Sequence, residues 1–348
     1  MSDRYQEFLD EIRRSPRRWL VTGAAGFIGG HLAEELLRHG QEVRGLDDFS
    51  TGKLANLDDV RARVGEEAWS RFEFREADIA DLEACRAACA GVGHVLHQAA
   101  LGSVPRSLEE PHATLRANVQ GFGNVLVAAK EAGVASLVYA SSSSVYGDHP
   151  ALPKVEDQTG EPLSPYAASK LADEVLAAVF ARSFGMRLTG LRYFNVFGPR
   201  QDPDGAYAAV IPRWLALLAR GEAGTIFGDG KTSRDFCPVA NVVQANLLSA
   251  ARKAGGGHAV YNIALGGRTD LRELYAALQA GMAARGAPCA GADPQEGPFR
   301  DGDVRHSLAS IDRAVEELGY DPRVGFQEGL DRTMDWFAEG LGLAGGNR

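Results

Sequence analysis

The first half of the chain alternates short apolar runs with segments whose apolar residues recur every three or four positions. Residues 19–23, 42–47, 94–100 and 136–142 are apolar runs of strand length. Residues 28–40, between the first two runs, have helical spacing and end at a glycine. Because strands that alternate with helices are joined by crossover connections, the pattern predicts a doubly wound α/β fold with a mostly parallel sheet and helices on both faces.

The pattern loosens after Tyr193, where the loops become longer and richer in glycine and proline. Helical spacing returns in residues 270–285, 310–318 and 326–338. We therefore predict a smaller, interrupted C-terminal domain that forms one wall of a cleft. The predicted division places residues 1–193 with about 240–267 in the first domain, and residues 194–239 with 268–348 in the second.

Residues 1–18 precede the first predicted strand. Tyr5, Phe8, Leu9 and Ile12 recur in them at helical spacing. We expect an additional helix that covers an edge of the sheet. A contact between two copies of the chain is the alternative.

Composition narrows the class of protein. The net charge of -9 argues against a general nucleic-acid binder, which would present a basic face. No apolar run reaches the roughly 18 residues that a membrane span needs, and the N-terminus lacks the apolar region of a secretory signal. The four cysteines have no zinc-binding spacing, which is typical of reduced thiols in a cytoplasmic protein. We expect no membrane partner, no nucleic-acid partner and no metal.

A glycine motif follows the first predicted strand. The sequence T-G-A-A-G-F-I-G places Gly23, Gly26 and Gly29 between that strand and the first helix. Glycines there permit a tight turn and a close approach of a pyrophosphate to the helix N-terminus. Asp47, followed by Asp48, ends the second strand, where a carboxylate accepts hydrogen bonds from ribose hydroxyls and repels a 2′-phosphate. The cofactor predicted by this arrangement is NAD.

A second motif, Y-x-x-x-K, begins a predicted helix. Ser164 is a suitable N-cap and Pro165 a suitable first helical residue, so Tyr166 and Lys170 share one face of the helix. A free tyrosine is mostly protonated at neutral pH, and a neighbouring ammonium group favours the phenolate. The pair can therefore act as a base toward a hydroxyl whose carbon gives a hydride to NAD. A solvated helix face is the alternative.

The two motifs together resemble the extended short-chain dehydrogenase/reductase family, whose fold is of the Rossmann type. Nearly the whole chain is similar to the UDP-N-acetylglucosamine 4-epimerases of bacterial surface-polysaccharide (O-antigen) synthesis, through stretches such as HQAALGSVPRS, SPYAASK and GDGKTSRDFC. The resemblance implies NAD-dependent conversion of UDP-N-acetylglucosamine to UDP-N-acetylgalactosamine through a 4-keto intermediate. It also implies a homodimer, with NAD in the first domain and the UDP-sugar in the second.

The resemblance assigns further residues by their positions in matching motifs. The catalytic hydroxyl is that of Ser142, and Arg234 and Arg300 hold the diphosphate. Positions near NAD are Phe27, Ile28, Ser50, Gly52, Asp78, Ile79, Ala99, Ala100, Asn118 and Tyr193, and positions near the uridine or the sugar are Asn195, Thr225, Phe227 and Asp303.

In the family that the chain resembles, the choice of substrate depends on a position seven residues after the second diphosphate arginine, Arg300. A bulky tyrosine there confines members of the family to sugars without an acetyl group, whereas Ser307 leaves room for one. Candidates to line the same pocket are Ser103, Ser143, Gln201 and Ala209.

Other functions remain open on the sequence. An epimerase that prefers UDP-N-acetylglucosaminuronate or UDP-glucose has the same motifs. A sugar-nucleotide 4,6-dehydratase would need an acidic pair near Ser142, where the chain has Ser143 and Ser144. A UDP-glucuronate decarboxylase is disfavoured. A non-catalytic NAD-binding sensor would not need Ser142, Tyr166 and Lys170 together.

Overall fold

The structure is a computed structural model, and it describes residues 3–205, 207–252, 257–289, 291–299 and 305–343. No helix in these ranges is long and apolar enough to cross a membrane. The same ranges hold no group of three or more His, Cys, Asp or Glu side chains that a metal ion would need.

A seven-stranded parallel sheet forms the centre of the molecule, and the sequence predicts its parallel arrangement and four of its strands. Its strands are β1 (Arg18–Thr22), β2 (Glu42–Asp47), β3 (Phe72–Glu76), β4 (His94–His97), β5 (Ser136–Ser142), β6 (Leu188–Tyr193) and β11 (His258–Ile263). They lie in the order β11-β6-β5-β4-β1-β2-β3, and every neighbouring pair is parallel. The run predicted over 94–100 ends as a strand at His97, after which the chain turns toward a cavity.

Helices cover both faces of this sheet. Along β1, Trp19 and Val21 pack toward one helical layer and Leu20 toward the other, as the two-residue period of a strand requires. The helices of the first half are α1 (Arg4–Arg14), α2 (Phe27–Arg38), α3 (Leu54–Trp69), α4 (Leu82–Cys89), α5 (Val104–Glu109), α6 (Pro111–Leu115), α7 (Gly121–Glu131) and α8 (Pro165–Phe184), with a π-helical turn at Arg116–Gln120 and a 3-10 turn at Ser143–Tyr146.

The N-terminal helix forms as predicted, but it does not lie along an edge strand. Helix α1 packs on α10 (Val239–Ala250) and buries Phe8, Leu9 and Ile12. These three side chains join the same apolar cluster as Trp19 of β1, in the helical layer on one face of the sheet.

The C-terminal half has a separate apolar cluster, apart from those on the two faces of the sheet. Its main elements are α9 (Val210–Ala219), α11 (Leu271–Ala284) and α12 (Phe326–Gly340). Residues 310–318 are helical only over their last part, which includes a π-helical turn at Ala314–Leu318 whose side chains pack with the large sheet. The domain boundaries stay a prediction. The short strands are β7 (Val196–Phe197), β8 (Thr225–Phe227), β9 (Ser233–Arg234), β10 (Cys237–Pro238), β12 (Thr269–Asp270) and β13 (Gln295–Gly297), paired as β7–β10, β8–β13 and β9–β12.

Candidate active site

The glycine-rich turn joins β1 to α2 in a conformation that requires glycine. Gly23 has φ +70°, and a Cβ on it would lie 2.8 Å from the backbone nitrogen of Ala99. A Cβ on Gly29 would lie 2.0 Å from the carbonyl oxygen of Gly23. Helix α2 begins after Gly26 without a side-chain cap, so its first N–H groups face the turn and are available to a phosphate. The turn has the shape and polarity that a dinucleotide pyrophosphate needs.

Asp47 lies at the carboxyl end of β2, beside this turn. Its two carboxylate oxygens accept hydrogen bonds from the backbone N–H groups of Ala25 and Phe49, each at 2.9 Å. Burial raises the pKa of the Asp47 carboxyl, and these hydrogen bonds oppose that effect. Gly52 packs against the carboxylate, where a Cβ would come within 2.7 Å of Oδ1. The carboxylate is thus held beside the predicted ribose position.

A cavity of about 470 Å³ runs along the carboxyl ends of β1, β2, β4, β5 and β6. Ligands of open parallel sheets bind at this edge. Most of the predicted cofactor residues line it, together with the predicted catalytic residues and some of the sugar-binding residues: Gly23, Gly26, Phe27, Ile28, Gly29, Asp47, Asp48, Ser50, Asp78, Ile79, Ala99, Ala100, Ser142, Tyr166, Lys170, Tyr193, Asn195, Gln201 and Ala209.

Asn118 lies behind the cavity wall and does not line it. Its side-chain amide accepts a hydrogen bond from the Leu101 backbone N–H at 2.8 Å and donates to the Leu101 carbonyl at 3.2 Å. It also donates to Ser169 Oγ at 2.9 Å. Asn118 therefore fixes the backbone of Leu101, which does line the cavity.

The Y-x-x-x-K motif occupies the first turns of α8. Ser164 caps the helix through a hydrogen bond from the Ala167 N–H to its Oγ at 3.1 Å, as predicted. Tyr166 and Lys170 both face the cavity, and the buried Lys170 donates a hydrogen bond to the Ala140 carbonyl of β5 at 2.9 Å. The helix thereby places a phenol and an ammonium group at one end of the predicted cofactor site.

Ser142 ends β5 and faces the same part of the cavity. Its Oγ accepts hydrogen bonds from the N–H of Ser144 at 3.1 Å and from the Ser144 hydroxyl at 2.9 Å. The hydrogen of the Ser142 hydroxyl is then left to donate to a ligand. Three groups that can exchange or stabilise a proton, on Ser142, Tyr166 and Lys170, therefore share one cavity.

Tyr193 also lines this cavity but has a different environment. Its hydroxyl donates to Gln98 Oε1 at 3.1 Å and accepts from Asn246 Nδ2 at 2.8 Å. Burial raises the pKa of the Tyr193 phenol above its usual value. Tyr193 is thus a neutral, fixed part of the wall, in contrast to the role predicted for Tyr166.

A second cavity of about 230 Å³ adjoins the first and shares Asn195 and Ala208 with it. The predicted uridine and diphosphate residues Thr225, Phe227 and Arg234 line this second cavity. Together the two cavities make a continuous site, with the glycine turn at one end and an arginine at the other.

Several lining residues were missed by the sequence analysis. Arg213 of α9 joins Arg234 in the second cavity, and its one sequence signal is a charge inside an otherwise apolar helix. Arg106 and Tyr207 line the large cavity from opposite halves of the chain, with the Arg106 guanidinium carbon 5.0 Å from the Tyr207 ring centre. Neither residue was given a role from the sequence, although Arg106 lies within the stretch HQAALGSVPRS.

Other predicted residues line neither cavity. Ser103 caps α5 by accepting a hydrogen bond from the Arg106 N–H, and Ser143 lies in the turn after Ser142. The backbone N–H of Ser307 donates a hydrogen bond at 3.0 Å to the carbonyl of Ser233, the residue that precedes Arg234. Arg300 and Asp303 lie outside the described residues.

Gln201 is the sugar-pocket candidate with the clearest geometry. The Nε2 of its side-chain amide donates a hydrogen bond to the Val196 carbonyl at 3.2 Å, and the Oε1 of the same amide is an acceptor. That Oε1 is buried and has no hydrogen-bond partner within the described ranges. The neighbouring Arg200 is buried, has φ +67°, and binds Asp59 of α3 at 2.6 Å, which ties the loop to the cofactor-binding half.

Comparison with known proteins gives this site a family. Residues 19–264 match the profile of the NAD dependent epimerase/dehydratase family. The chain is 40% identical over 322 residues to a UDP-glucose 4-epimerase of Mycolicibacterium smegmatis, across 92% of this chain and 98% of that protein. It is similar in structure to a UDP-N-acetylglucosamine 4-epimerase of Methanobrevibacter ruminantium in complex with UDP-N-acetylmuramic acid (TM-score 0.85, 33% identity, 93% of this chain and 99% of the other).

A further solved structure contains the predicted cofactor. The UDP-glucose 4-epimerase of Thermus thermophilus in complex with NAD is similar with a TM-score of 0.77 and 35% identity, over 92% of this chain and 98% of the other. The glycine turn, Asp47 and the helix N-terminus described above fit NAD. The chain belongs to the NAD-dependent epimerase/dehydratase family, with NAD as its cofactor, and it is an enzyme of the UDP-sugar 4-epimerase kind.

Proposed function

We propose that this enzyme inverts C4 of a UDP-N-acetylhexosamine and interconverts UDP-N-acetylglucosamine and UDP-N-acetylgalactosamine. The observation that carries the choice of sugar is a set of small residues, Gly102, Ala208 and Ala209, which line the large cavity and leave space for an acetyl group. Gln201 lines the same cavity, and its buried Oε1 has no hydrogen-bond partner in the described ranges. When the amide turns toward the cavity, this oxygen accepts a hydrogen bond from the acetamido N–H.

In the proposed reaction, Tyr166 as phenolate removes the proton of the 4-hydroxyl group, and Lys170 stabilises the phenolate. Ser142 donates a hydrogen bond to the same sugar oxygen. Bound NAD supplies the acceptor, and later the donor, of the C4 hydride. The 4-keto sugar then turns its other face toward the cofactor, and Tyr166 returns the proton to the inverted hydroxyl.

The turn of the sugar requires that the rest of the substrate stay bound. Arg234 and Arg213 lie in the second cavity, away from Tyr166, and a guanidinium group binds phosphate oxygens with two parallel hydrogen bonds. Binding energy placed at the nucleotide holds the substrate without fixing the orientation of the sugar. A separate nucleotide site next to the reaction site supports an epimerase.

A dehydratase on the same fold is less well supported. It would need an acidic side chain near C5 and C6 of the sugar. Among the described residues that line the large cavity, Asp47, Asp48 and Asp78 lie at the cofactor end, and Asp202 is paired with Lys53 at 2.7 Å. The positions after Ser142 are serines.

The test of the proposed substrate is a proton NMR time course with UDP-N-acetylglucosamine and no added cofactor. Appearance of UDP-N-acetylgalactosamine supports the proposal, because it requires bound NAD and a pocket that accepts the acetyl group. Turnover of UDP-glucose or UDP-N-acetylglucosaminuronate alone would replace the proposed sugar and keep the C4 chemistry. A 4-keto-6-deoxy product would replace an epimerase by a dehydratase.

The proposal includes a homodimer. Val175 and Val179, one turn apart on the outer face of α8, are 58% and 39% exposed, and Leu108 and Leu115 are exposed on α5 and α6, which pack against α8. Exposed apolar side chains on helices that pack together favour burial against a second copy. The molar mass from light scattering should be twice that of one chain, and a Val175→Glu/Val179→Glu variant should be monomeric. A monomeric wild-type protein would contradict the proposal.

A further inference from the structure

A buried carboxylate lies next to the lysine of the Y-x-x-x-K motif. Asp173 is on α8, three residues after Lys170, and its side chain is 1% exposed. Its Oδ2 lies 3.3 Å from Lys170 Nζ, which also donates to the Ala140 carbonyl at 2.9 Å. Within the described ranges, Oδ1 of Asp173 is buried and accepts no hydrogen bond. Lys170 is therefore the group that offsets the charge of this carboxylate.

Few other charges face the pair. Glu174, also on α8, is bound by Arg192 of β6 at 2.7 Å, and both side chains are buried. Tyr139 of β5 is buried and its hydroxyl contacts His258 Nε2 of β11 at 2.8 Å. On β4, burial and then the Lys170 charge lower the pKa of His97 to about 3, so its ring is neutral at pH 7. Lys170 and Asp173 thus form a buried ion pair of their own, next to the Glu174–Arg192 pair.

The carboxylate is charged under ordinary assay conditions. Burial raises the pKa of Asp173 to about 6, while the charge and the hydrogen bond of Lys170 oppose that shift. Above pH 6, Asp173 is thus mostly ionised and its negative charge lies 3.3 Å from the ammonium. A neighbouring group therefore feels a weaker field from this pair than from the ammonium alone, because the fields of two opposite charges this close partly cancel.

We propose that Asp173 is a positioning residue that holds the Lys170 ammonium against β5 and weakens the activation of Tyr166 by that ammonium. This inference rests on the proposed role of Tyr166 as the base. An unopposed buried ammonium would stabilise the phenolate more strongly. The carboxylate offsets part of that stabilisation, so Tyr166 can both take a proton from the substrate and return it to the product.

The test is a pH titration of the holoprotein, followed by the ultraviolet absorption of the phenolate. The signal of Tyr166 is isolated by subtracting the titration of the same protein with Tyr166→Phe. In Asp173→Asn, which keeps the shape of the side chain and removes its charge, the phenolate of Tyr166 should appear at a pH lower by about half a unit or more. Asp173→Ser should give the same direction of shift with a different packing change, and Glu131→Gln, a carboxylate-to-amide change on the surface of α7, should give none.

The acid limb of the pH profile of kcat should move with the titration, whereas a purely structural role of Asp173 would lower kcat equally at every pH. An unchanged titration, or a phenolate that appears at higher pH in Asp173→Asn, overturns the proposal. The titration needs no substrate. A shifted titration in a protein that epimerises no UDP-sugar would contradict the proposed function and leave this inference standing.

Discussion

Lys170 of α8 donates a hydrogen bond of 2.9 Å to the carbonyl oxygen of Ala140 in β5. This contact joins the helix that carries Tyr166 to the strand that ends at Ser142. The phenol and the serine hydroxyl therefore keep a fixed relation to each other at the edge of the sheet. In the proposed reaction, which acts on both faces of one carbon, this fixed relation of the proposed base and the serine leaves the sugar as the part that moves.

Replacing Tyr166 by Phe removes the proposed base and leaves the shape of the ring. General acid–base groups contribute about 10²- to 10⁴-fold to rate, so kcat should fall by a factor in that range. The amount of NAD that copurifies should stay the same, because the glycine turn and Asp47 are untouched. Steady-state kinetics and the cofactor content of the purified protein measure the two effects. Tyr5→Phe, on α1 and far from the cavity, is the control, and a Tyr166→Phe protein with wild-type kcat would refute the mechanism.

Asp47 should contribute to NAD binding through its charge. Hydrogen bonds to a charged partner are worth about 1.5–3 kcal/mol, so Asp47→Asn should weaken NAD binding roughly 10- to 100-fold. Asparagine can accept only one of the two backbone hydrogen bonds from Ala25 and Phe49, because its amide NH2 group is a donor, so part of the loss comes from the turn. Calorimetric titration of the cofactor-free protein with NAD and with NADP measures the change. A variant that bound NAD as the wild type does would show that the charge of Asp47 does not contribute to NAD binding.

The sequence predicted those parts of the site whose chemical groups and backbone geometry come from the same short segment. The glycine spacing, Asp47 and the Y-x-x-x-K helix depend on a few neighbouring residues, and the structure brings them to one cavity. Arg106, Tyr207 and Arg213 reach the site from distant segments, and their local sequence does not indicate that they meet in one site.

The strands β3, β6 and β11 were not predicted, and α1 was misplaced; for β3 and α1 the physical reason is clear. The edge strand β3 (FEFRE) alternates phenylalanine with charged residues and lacks the apolar run of a central strand. The amphipathic pattern of α1 indicates that one face of the helix is buried, but it does not indicate which element covers that face. In the structure the face packs on α10 and not at an edge of the sheet.

Gln201 should select the acetamido sugar. Gln201→Leu removes the buried Oε1 acceptor, and a neutral hydrogen bond is worth about 0.5–1.5 kcal/mol. We therefore expect kcat/KM to fall roughly 2- to 10-fold for UDP-N-acetylglucosamine. UDP-2-deoxyglucose, which has no hydrogen-bond donor at C2, is the internal control and should be unaffected. Competition assays with both sugars in one reaction measure the ratio, and an unchanged ratio would remove Gln201 from the acetyl pocket.

The stability of the fold should decrease as the pH falls below 7. Burial lowers the pKa of His31 and His97 to about 3 and that of His94 and His258 to about 4. In the unfolded chain a histidine titrates near pH 6.5, so between these values the unfolded chain binds more protons than the folded one. Stability is then lost progressively as the pH is lowered through 6.5 toward 4.

Two buried carboxyl groups offset part of this loss. Burial raises the pKa of Asp173 and Asp235 to about 6, so the folded protein takes up these protons before the unfolded chain does. Their effect is confined to the window between about pH 6 and 4, and the histidines act alone just above it. Denaturant midpoints at about pH 7.5 and 6 should therefore show the loss most cleanly. A midpoint that is equal or higher at the lower pH would contradict the burial of neutral histidines.

The most direct test of C4 inversion by a hydride that leaves and returns uses UDP-N-acetylglucosamine that carries deuterium at C4, incubated with the enzyme in ordinary water. The proposed mechanism predicts UDP-N-acetylgalactosamine that keeps the deuterium at C4, because the same hydride leaves and returns within one cavity while Tyr166 transfers only the hydroxyl proton. Loss of the C4 label to solvent, or exchange of hydrogen at C5, would contradict it.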